Sequence, residues 1–305
     1  MNEAPANAHP GLGWGFSIGH YTDQEARTGC TVVLPPAGNV ASCDVRGSSP
    51  SSRELELLNP ERRLTEIHGL VLTGGSAFGL AAADGVVRWL AERKIGYKAG
   101  AATVPIVPAA VIFDLRSATS DAAPGPRQGI AACEAATEEP VAAGLVGAGT
   151  GATVGKWAGL RHARPGGLGI AHAGSRTERV GALAVVNAVG DVVDTDGSVL
   201  VGTTAPDPIP EMPGRSLPTN TVLALVVVEA NLDKQQVRWL ATRGSDGITV
   251  SIRPAHTRYD GDVCFAIAAP APDGGRRPAD LDELGRLATE AVASAIRAAV
   301  APGNT

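Results

Sequence analysis

Several things are scarce in this chain of 305 residues, and each scarcity removes a class of protein. The four cysteines, Cys30, Cys43, Cys133 and Cys264, lie far apart and form no C-x-x-C pair, so incidental thiols in a reduced cytoplasmic protein are expected. A formal net charge of −5 leaves no basic footprint, which argues against a nucleic-acid partner. The six histidines show no i, i+4 pair and no ligand spacing, so no metal site and no cofactor is expected. No run of about 18 uncharged apolar residues occurs; the best stretch, 67–87, is broken by glycines and by Asp84, so no membrane span is expected. The opening "MNEAPANAHPGLGWG" lacks a charged segment followed by an apolar one, so no signal peptide is expected. Aromatic residues make up only 4%.

What is present is small and apolar. Hydrophobic residues reach 44%, charged residues 19%, and there are 38 glycines, a globular composition suited to closely packed layers and tight loops. The β-branched runs "CTVVLPP" (30–36) and "IHGLVLTGG" (67–75) read as buried strands, and "VPIVPAAVIFDL" (104–115) as a strand with prolines at its start. "SAFGLAAADGVVRWLAERK" (76–94) reads as a helix capped by Ser76. "VGALAVVNAVGDVVDT" (180–195) predicts a hairpin turning near Gly190-Asp191. Residues 221–229 and 263–269 are further buried strands, and helices are expected at 232–243 and 280–300. Strands mixed with helices and hairpins predict layered α/β sheets rather than a parallel βαβ array.

Three motifs invite chemistry and partly refuse it. The glycine run "GLVGAGTGATVGKWAGL" (144–160) fails as a Walker A loop, because Thr150 and Trp157 stand where Gly and Ser or Thr are needed. It fails as a dinucleotide fingerprint at Ala152, and leaves a close-approach loop carrying one cation, Lys156. "TGGSAFG" (73–79) has Phe78 where a nucleophile elbow needs its second Gly, so Ser76 reads more simply as a cap. In "RPAHTRYDGDVCFAI" (253–267), Asp260 and Asp262 lie two apart before a buried strand, and period-two geometry points both to one face. An ordinary Asp-Gly turn with solvated acids accounts for the same residues.

The least regular stretch, 203–220, holds prolines at 206, 208, 210, 213 and 218 and reads as a stiff exposed loop. It ends at Asn220-Thr221, where the aliphatic block "TVLALVVVE" begins. Thr221 can simply be the first residue of a core strand. If the 220–221 bond is cut, however, Thr221 gains an α-amine that titrates near 7.7–8.0. That amine can take the proton of its own hydroxyl, the threonine variant of an activated nucleophile.

The stretches "TGCTVVLPP", "VLTGGSAFGLAAADGV", "VPIVPAAVIFDL", "GAGTGATVGK", "VGALAVVNAVGDV", "TNTVLALVV" and "RPAHTRYDGD" together resemble the DmpA-type (L-aminopeptidase/D-esterase) aminopeptidase family, most of all its nylon-oligomer hydrolase branch, over about residues 18–268. The resemblance implies a layered αββα sandwich of N-terminal-nucleophile-hydrolase architecture. It implies a single domain, 1–305, that cuts itself into a large chain, 1–220, and a small chain, 221–305, which stay associated. Carried over by position, Thr221 resembles the nucleophile released after Asn220. Lys156 and Asn187 match the polar residues facing it, and Asp260 and Asp262 match an acidic pair of the nylon-hydrolase branch. Backbone N–H groups of the 147–155 loop, with Gly149 and Gly151 beside the substrate, would assist Asn187 at the oxyanion. Phe113 stands where several relatives carry Tyr, which alters the expected pocket. The implied activity is hydrolysis of short peptides or oligoamides with a free amino end, in a homo-oligomer expected to be a tetramer of paired chains. Two other readings remain open on the residues alone: a serine hydrolase using Ser76 and His256 with no backbone cut, and an uncut, inactive small-molecule binder.

Overall fold

Residues 180–187, 221–228 and 263–269 are buried without a break along three strands, which only a sheet covered on both faces allows. The computed structural model describes residues 8–115, 122–175, 179–206, 220–271 and 280–301. In chain order its main elements are β1 (Ser17–Asp23), β2 (Thr28–Leu34), β3 (Val40–Val45), β4 (Ser52–Arg53), β5 (Leu70–Thr73), α1 (Ala82–Glu92), β6 (Ala109–Val111) and α2 (Pro126–Glu134). They continue as β7 (Gly167–Gly174), β8 (Arg179–Asn187), β9 (Thr221–Glu229), α3 (Lys234–Ser251), β10 (Val263–Ala269) and α4 (Leu281–Ala299). One five-stranded sheet has the order β1-β2-β5-β6-β4, the other β7-β8-β9-β10-β3.

The alternation along β9 explains the layering. Leu223, Leu225 and Val227 enter the core between the sheets, with Ile18, Leu70, Leu72, Leu183, Val185, Phe265 and Ile267. Val222, Ala224, Val226 and Val228 point the other way, into a core roofed by α3 and α4. A third core seals α1 and α2 against the outer face of the first sheet, through Val32, Val71, Val86, Leu90 and Cys133. The stack is therefore α, β, β, α, as expected. Each large aliphatic side chain buried here contributes about 1.5–3 kcal/mol.

Small residues set the spacing of the helix layer. A Cβ on Gly244 would meet Cys264 Sγ at 2.5 Å, and one on Gly247 would meet the Thr289 carbonyl at 2.6 Å. Glycines lower helix propensity, yet packing carries α3 past the expected end at 243 to Ser251. Asp233 caps it, accepting the Gln236 N–H at 2.9 Å while Gln236 accepts the Asp233 N–H at 2.9 Å.

Three further expectations need correction. The 180–195 segment is not a hairpin: β8 ends at Asn187, and Asp191–Val193 pairs instead with Val199–Val201 and Ile252–Arg253. The turn is pulled away because the Val189 and Gly190 carbonyls accept N–H groups from Gly155, Lys156 and Trp157. Ser76 caps nothing. Residues 76–81 form a 3-10 segment before α1 starts at Ala82; the Ser76 N–H goes to the Ile112 carbonyl, and that of Gly75 to Asp114. The strand expected at 104–115 shrinks to Ala109–Val111, since Pro105 and Pro108 cannot donate to a ladder. Most of the proline loop, 207–219, lies outside the described residues.

Candidate active site

The register of the second sheet places Asn187, the last residue of β8, directly opposite Thr221, the first residue of β9. Counting in twos from Leu223 and Val185, both belong to the face that looks into the space between the sheets, at its open end. Both are buried, Thr221 with 6% and Asn187 with 0% of its surface exposed. A polar pair so enclosed must be satisfied by its neighbours.

Asn187 is held through both ends of its amide. Its Oδ1 accepts the Thr153 N–H at 3.0 Å and the Lys156 ammonium at 2.9 Å, and its Nδ2 donates to the Phe113 carbonyl at 3.2 Å. Lys156 Nζ also donates to the Asn187 carbonyl at 3.0 Å. Lys156 is thus a buried cation fixed beside the head of β9, not the solvated lysine of a packing loop. Phe113 reaches the site through its backbone. Gly149 and Gly151 serve close packing: a Cβ on Gly149 would meet the Leu168 nitrogen at 2.4 Å, and one on Gly151 the Arg27 carbonyl at 2.1 Å.

On the other side of Thr221 lies the turn before β10. The Thr221 hydroxyl donates to the Asn220 carbonyl at 2.5 Å, and the Gly261 N–H donates to that same oxygen at 2.9 Å. Asn220 and Asp260 form a parallel bridge. Asp260 and Asp262 are both held by the segment 256–257. Asp260 Oδ2 accepts the Thr257 N–H at 2.8 Å and its hydroxyl at 2.5 Å. Asp262 Oδ2 faces His256 Nδ1 at 2.8 Å, while its Oδ1 accepts the Val222 N–H at 2.6 Å. Both acids are buried, so the solvated-turn reading does not describe them. Burial first, then the nearby charge of Asp262, pushes the Asp260 carboxyl up to about 6, against the pull of Thr257 and Lys156.

Thr221, Asn187, Lys156, Asp260 and Asp262 therefore converge around the 220–221 peptide bond. Ser76 and His256 are not joined, because both His256 ring nitrogens are engaged elsewhere, with Asp262 and the Ser245 carbonyl. Gly261, Thr257 and Thr153 went unnoticed in the sequence. Only Gly261 carried a signal, as the middle residue of Asp-Gly-Asp. No group of three or more potential metal-ligating side chains is found among the described residues. No helix among them is long and apolar enough to cross a membrane.

An αββα sandwich with a polar cluster at one open end of its inter-sheet core is the architecture of N-terminal nucleophile hydrolases. The family can be stated more closely: residues 14–305 match the model of peptidase family S58, and the chain belongs to it. An uncharacterized aminopeptidase of Mycobacterium tuberculosis is 40% identical, over 92% of this chain and 88% of its own. A 6-aminohexanoate-oligomer endohydrolase of Paenarthrobacter ureafaciens is 28% identical, over 92% of this chain and 83% of its own. Among solved structures, a Burkholderia sp. beta-aminopeptidase superposes with a TM-score of 0.67 at 23% identity, covering 96% of this chain and 87% of its own. The L-aminopeptidase D-Ala-esterase/amidase of Ochrobactrum anthropi, described as a variant of the Ntn hydrolase fold, gives 0.67 at 19%, covering 97% and 86%. Family membership and these relatives support a hydrolase that acts on peptide bonds.

Proposed function

We propose that the chain is a self-processing amidohydrolase whose nucleophile is Thr221, acting on short peptides or oligoamides with a free amino end. One observation carries the reading: the Thr221 hydroxyl lies 2.5 Å from the carbonyl oxygen of the bond that precedes it, and a backbone N–H already polarises that carbonyl. In the uncut chain, Thr221 Oγ attacks the Asn220 carbonyl carbon through a five-membered ring. The oxygen of that carbonyl takes the developing charge, stabilised by the Gly261 N–H; one such donor is worth about 10²–10³ in rate. The C–N bond breaks as its nitrogen is protonated, leaving an ester and a free amine. Water then releases the Asn220 carboxylate, giving chains 1–220 and 221–305.

In the processed enzyme the new α-amine, with an ordinary pKa near 7.7–8.0, takes the hydroxyl proton as Thr221 attacks a substrate amide. The fixed Lys156 ammonium disfavours protonation of that amine and keeps it a base. Asn187 Nδ2 is placed to turn from the Phe113 carbonyl toward the substrate oxyanion. Asp260 is the acid of the cluster that titrates near neutrality, and it serves the proton transfer in the uncut chain, where no amine exists. The names of the relatives support amino-terminal peptides and aminohexanoate-type oligomers as the substrate class.

The test is a denaturing gel with an amino-terminal read. Mature wild-type protein gives two pieces, the smaller beginning Thr-Val-Leu-Ala, and hydrolyses aminoacyl anilides. Thr221→Ala stays one band of 30.9 kDa and is inert. Amide hydrolysis by that variant would remove Thr221 from the mechanism.

A further inference from the structure

His256 is not explained by the chemistry so far, yet both of its ring nitrogens and its backbone N–H are engaged. It sits in left-handed backbone at φ +51, with its side chain 14% exposed. Its Nδ1 lies 2.8 Å from Asp262 Oδ2, and its Nε2 lies 3.2 Å from the Ser245 carbonyl of α3. A carboxylate and a carbonyl can only accept. A neutral imidazole carries one N–H and would leave one of these contacts without a proton; only the imidazolium donates to both.

Asp262 in turn holds the strand that carries the nucleophile. Its other oxygen takes the Val222 N–H at 2.6 Å, one residue from Thr221. The backbone N–H of His256 adds a further bond to Asp262 Oδ2 at 3.3 Å. Charge balance agrees with this picture. Above pH 6, where Asp260 is ionised, Asp260 and Asp262 are two buried acids beside one buried lysine, Lys156, and a charged His256 closes the count at zero. From the other packed elements, Arg46 faces His256, but its guanidinium is tied to Asp44 and Asp246.

We propose that His256 is a positioning residue that acts as a doubly donating imidazolium, tying Asp262 to α3 and thereby fixing the start of β9 for attack by Thr221. The titration has the matching direction. Burial alone would lower the His256 pKa, but its hydrogen bond to Asp262, the Asp262 charge and the Ser245 carbonyl together outweigh that and raise it. A raised folded value means that the clamp is complete below the ordinary histidine pKa near 6.5 and is lost as pH rises through the folded pKa. Self-cleavage therefore acquires an alkaline limb set by His256. The α-amine of Thr221 cannot produce that limb, because it does not exist before the cut.

The inference rests on the self-processing reading, and two experiments separate the failures. First, nitrogen NMR of ¹⁵N-histidine-labelled Thr221→Ala protein reads the ring without any cleavage. His256, assigned by loss of its signals in His256→Asn, is expected to be doubly protonated at pH 6 with a midpoint above 6.5, and in uniformly ¹⁵N-labelled protein the Val222 amide shift is expected to follow the same midpoint. A singly protonated ring at pH 6, or a Val222 shift indifferent to it, overturns the clamp. Second, self-cleavage is timed against pH for wild type, His256→Asn and His256→Ala. Asn tolerates the left-handed backbone and keeps a donor near the Nδ1 position. Cleavage is expected to slow between about tenfold and a hundredfold, more in His256→Ala than in His256→Asn, with the alkaline limb gone in both. An unchanged rate with the same limb in His256→Asn overturns the role. Wild-type protein that never cuts refutes self-processing instead, and the NMR measurement then still decides the clamp.

Discussion

Replacing Gly261 with alanine adds a single methyl group against both Thr221 and the Ser49 carbonyl. Gly261 is not among the residues with positive φ, so alanine is admitted by the backbone and the effect is steric. The added Cβ would lie 2.6 Å from the Ser49 carbonyl oxygen and 2.9 Å from Thr221 Oγ. The first distance is about 0.8 Å short of the 3.4 Å at which ordinary contact begins. The two backbone segments cannot simply part. The Ser49 N–H donates to the Asp260 carbonyl at 3.1 Å, and those of Arg46 and Gly47 donate to the Asp262 carbonyl at 3.2 and 3.1 Å. The least costly response is a rotation of Thr221 away from the Asn220 carbonyl, together with a shift of the Gly261 N–H. Overpacking of this kind costs about 1–3 kcal/mol, so the variant folds with a lowered melting temperature. Its self-cleavage suffers far more, because a misplacement near 1 Å costs about 10²-fold and a lost oxyanion donor costs as much again or more. A time course by intact mass should show precursor surviving at least a hundred times longer than in wild type. Processing of Gly261→Ala at the wild-type rate would refute the assignment of this contact to the reaction.

Three other outcomes are expected. Asn187→Ala strips partners from Lys156, Thr153 and the Phe113 carbonyl at once, so kcat of the matured enzyme should fall about 10²–10³-fold while the substrate KM changes little; a steady-state comparison on one anilide checks it. Asp260, raised to about 6, prefers its proton in the folded protein, so maturation should lose rate as pH falls through 6, and Asp260→Asn should lack that acid limb. Its ionisation also opposes folding, so the stability that this group lends below its unfolded pKa of about 3.9 fades as pH rises through 6, and Asp260→Asn should melt higher than wild type at pH 8 if the site stays intact. Gly244→Ala drives a methyl into Cys264 and Val226 between β9, β10 and α3, and should cost about 1–3 kcal/mol in chemical denaturation without touching the chemistry.

The layers were legible because burial writes itself into composition. Strands covered on both faces must be almost wholly apolar, and 180–186, 222–228 and 263–269 are; α4 displays its stripe at 281, 284, 288, 292 and 296. The errors share a cause, which is backbone groups satisfied by distant partners. Ser76 looks like a cap only until Ile112 and Asp114 take the N–H groups it would have served. The hairpin after β8 looks sound only until residues 155–157 claim the turn carbonyls. No local pattern reports such claims, because the claimant lies tens of residues away.

Ordinary packing decides where Thr221 points. Strand period fixes the face of every residue in β9 once Leu223 and Leu225 enter the inter-sheet core, so Thr221 must point into the same space. Antiparallel register with β8 then requires the residue opposite to be Asn187, and parallel pairing with β10 brings the turn at 260–262 alongside. Seven buried positions of ordinary packing, 222–228, thus turn one hydroxyl toward the site, and the Asp262 contact to Val222 then fixes the strand end that carries it. A shift of register by one residue would turn Thr221 toward the helices and a valine toward Asn187, which is why the aliphatic block that looks like mere core is also what locates the chemistry.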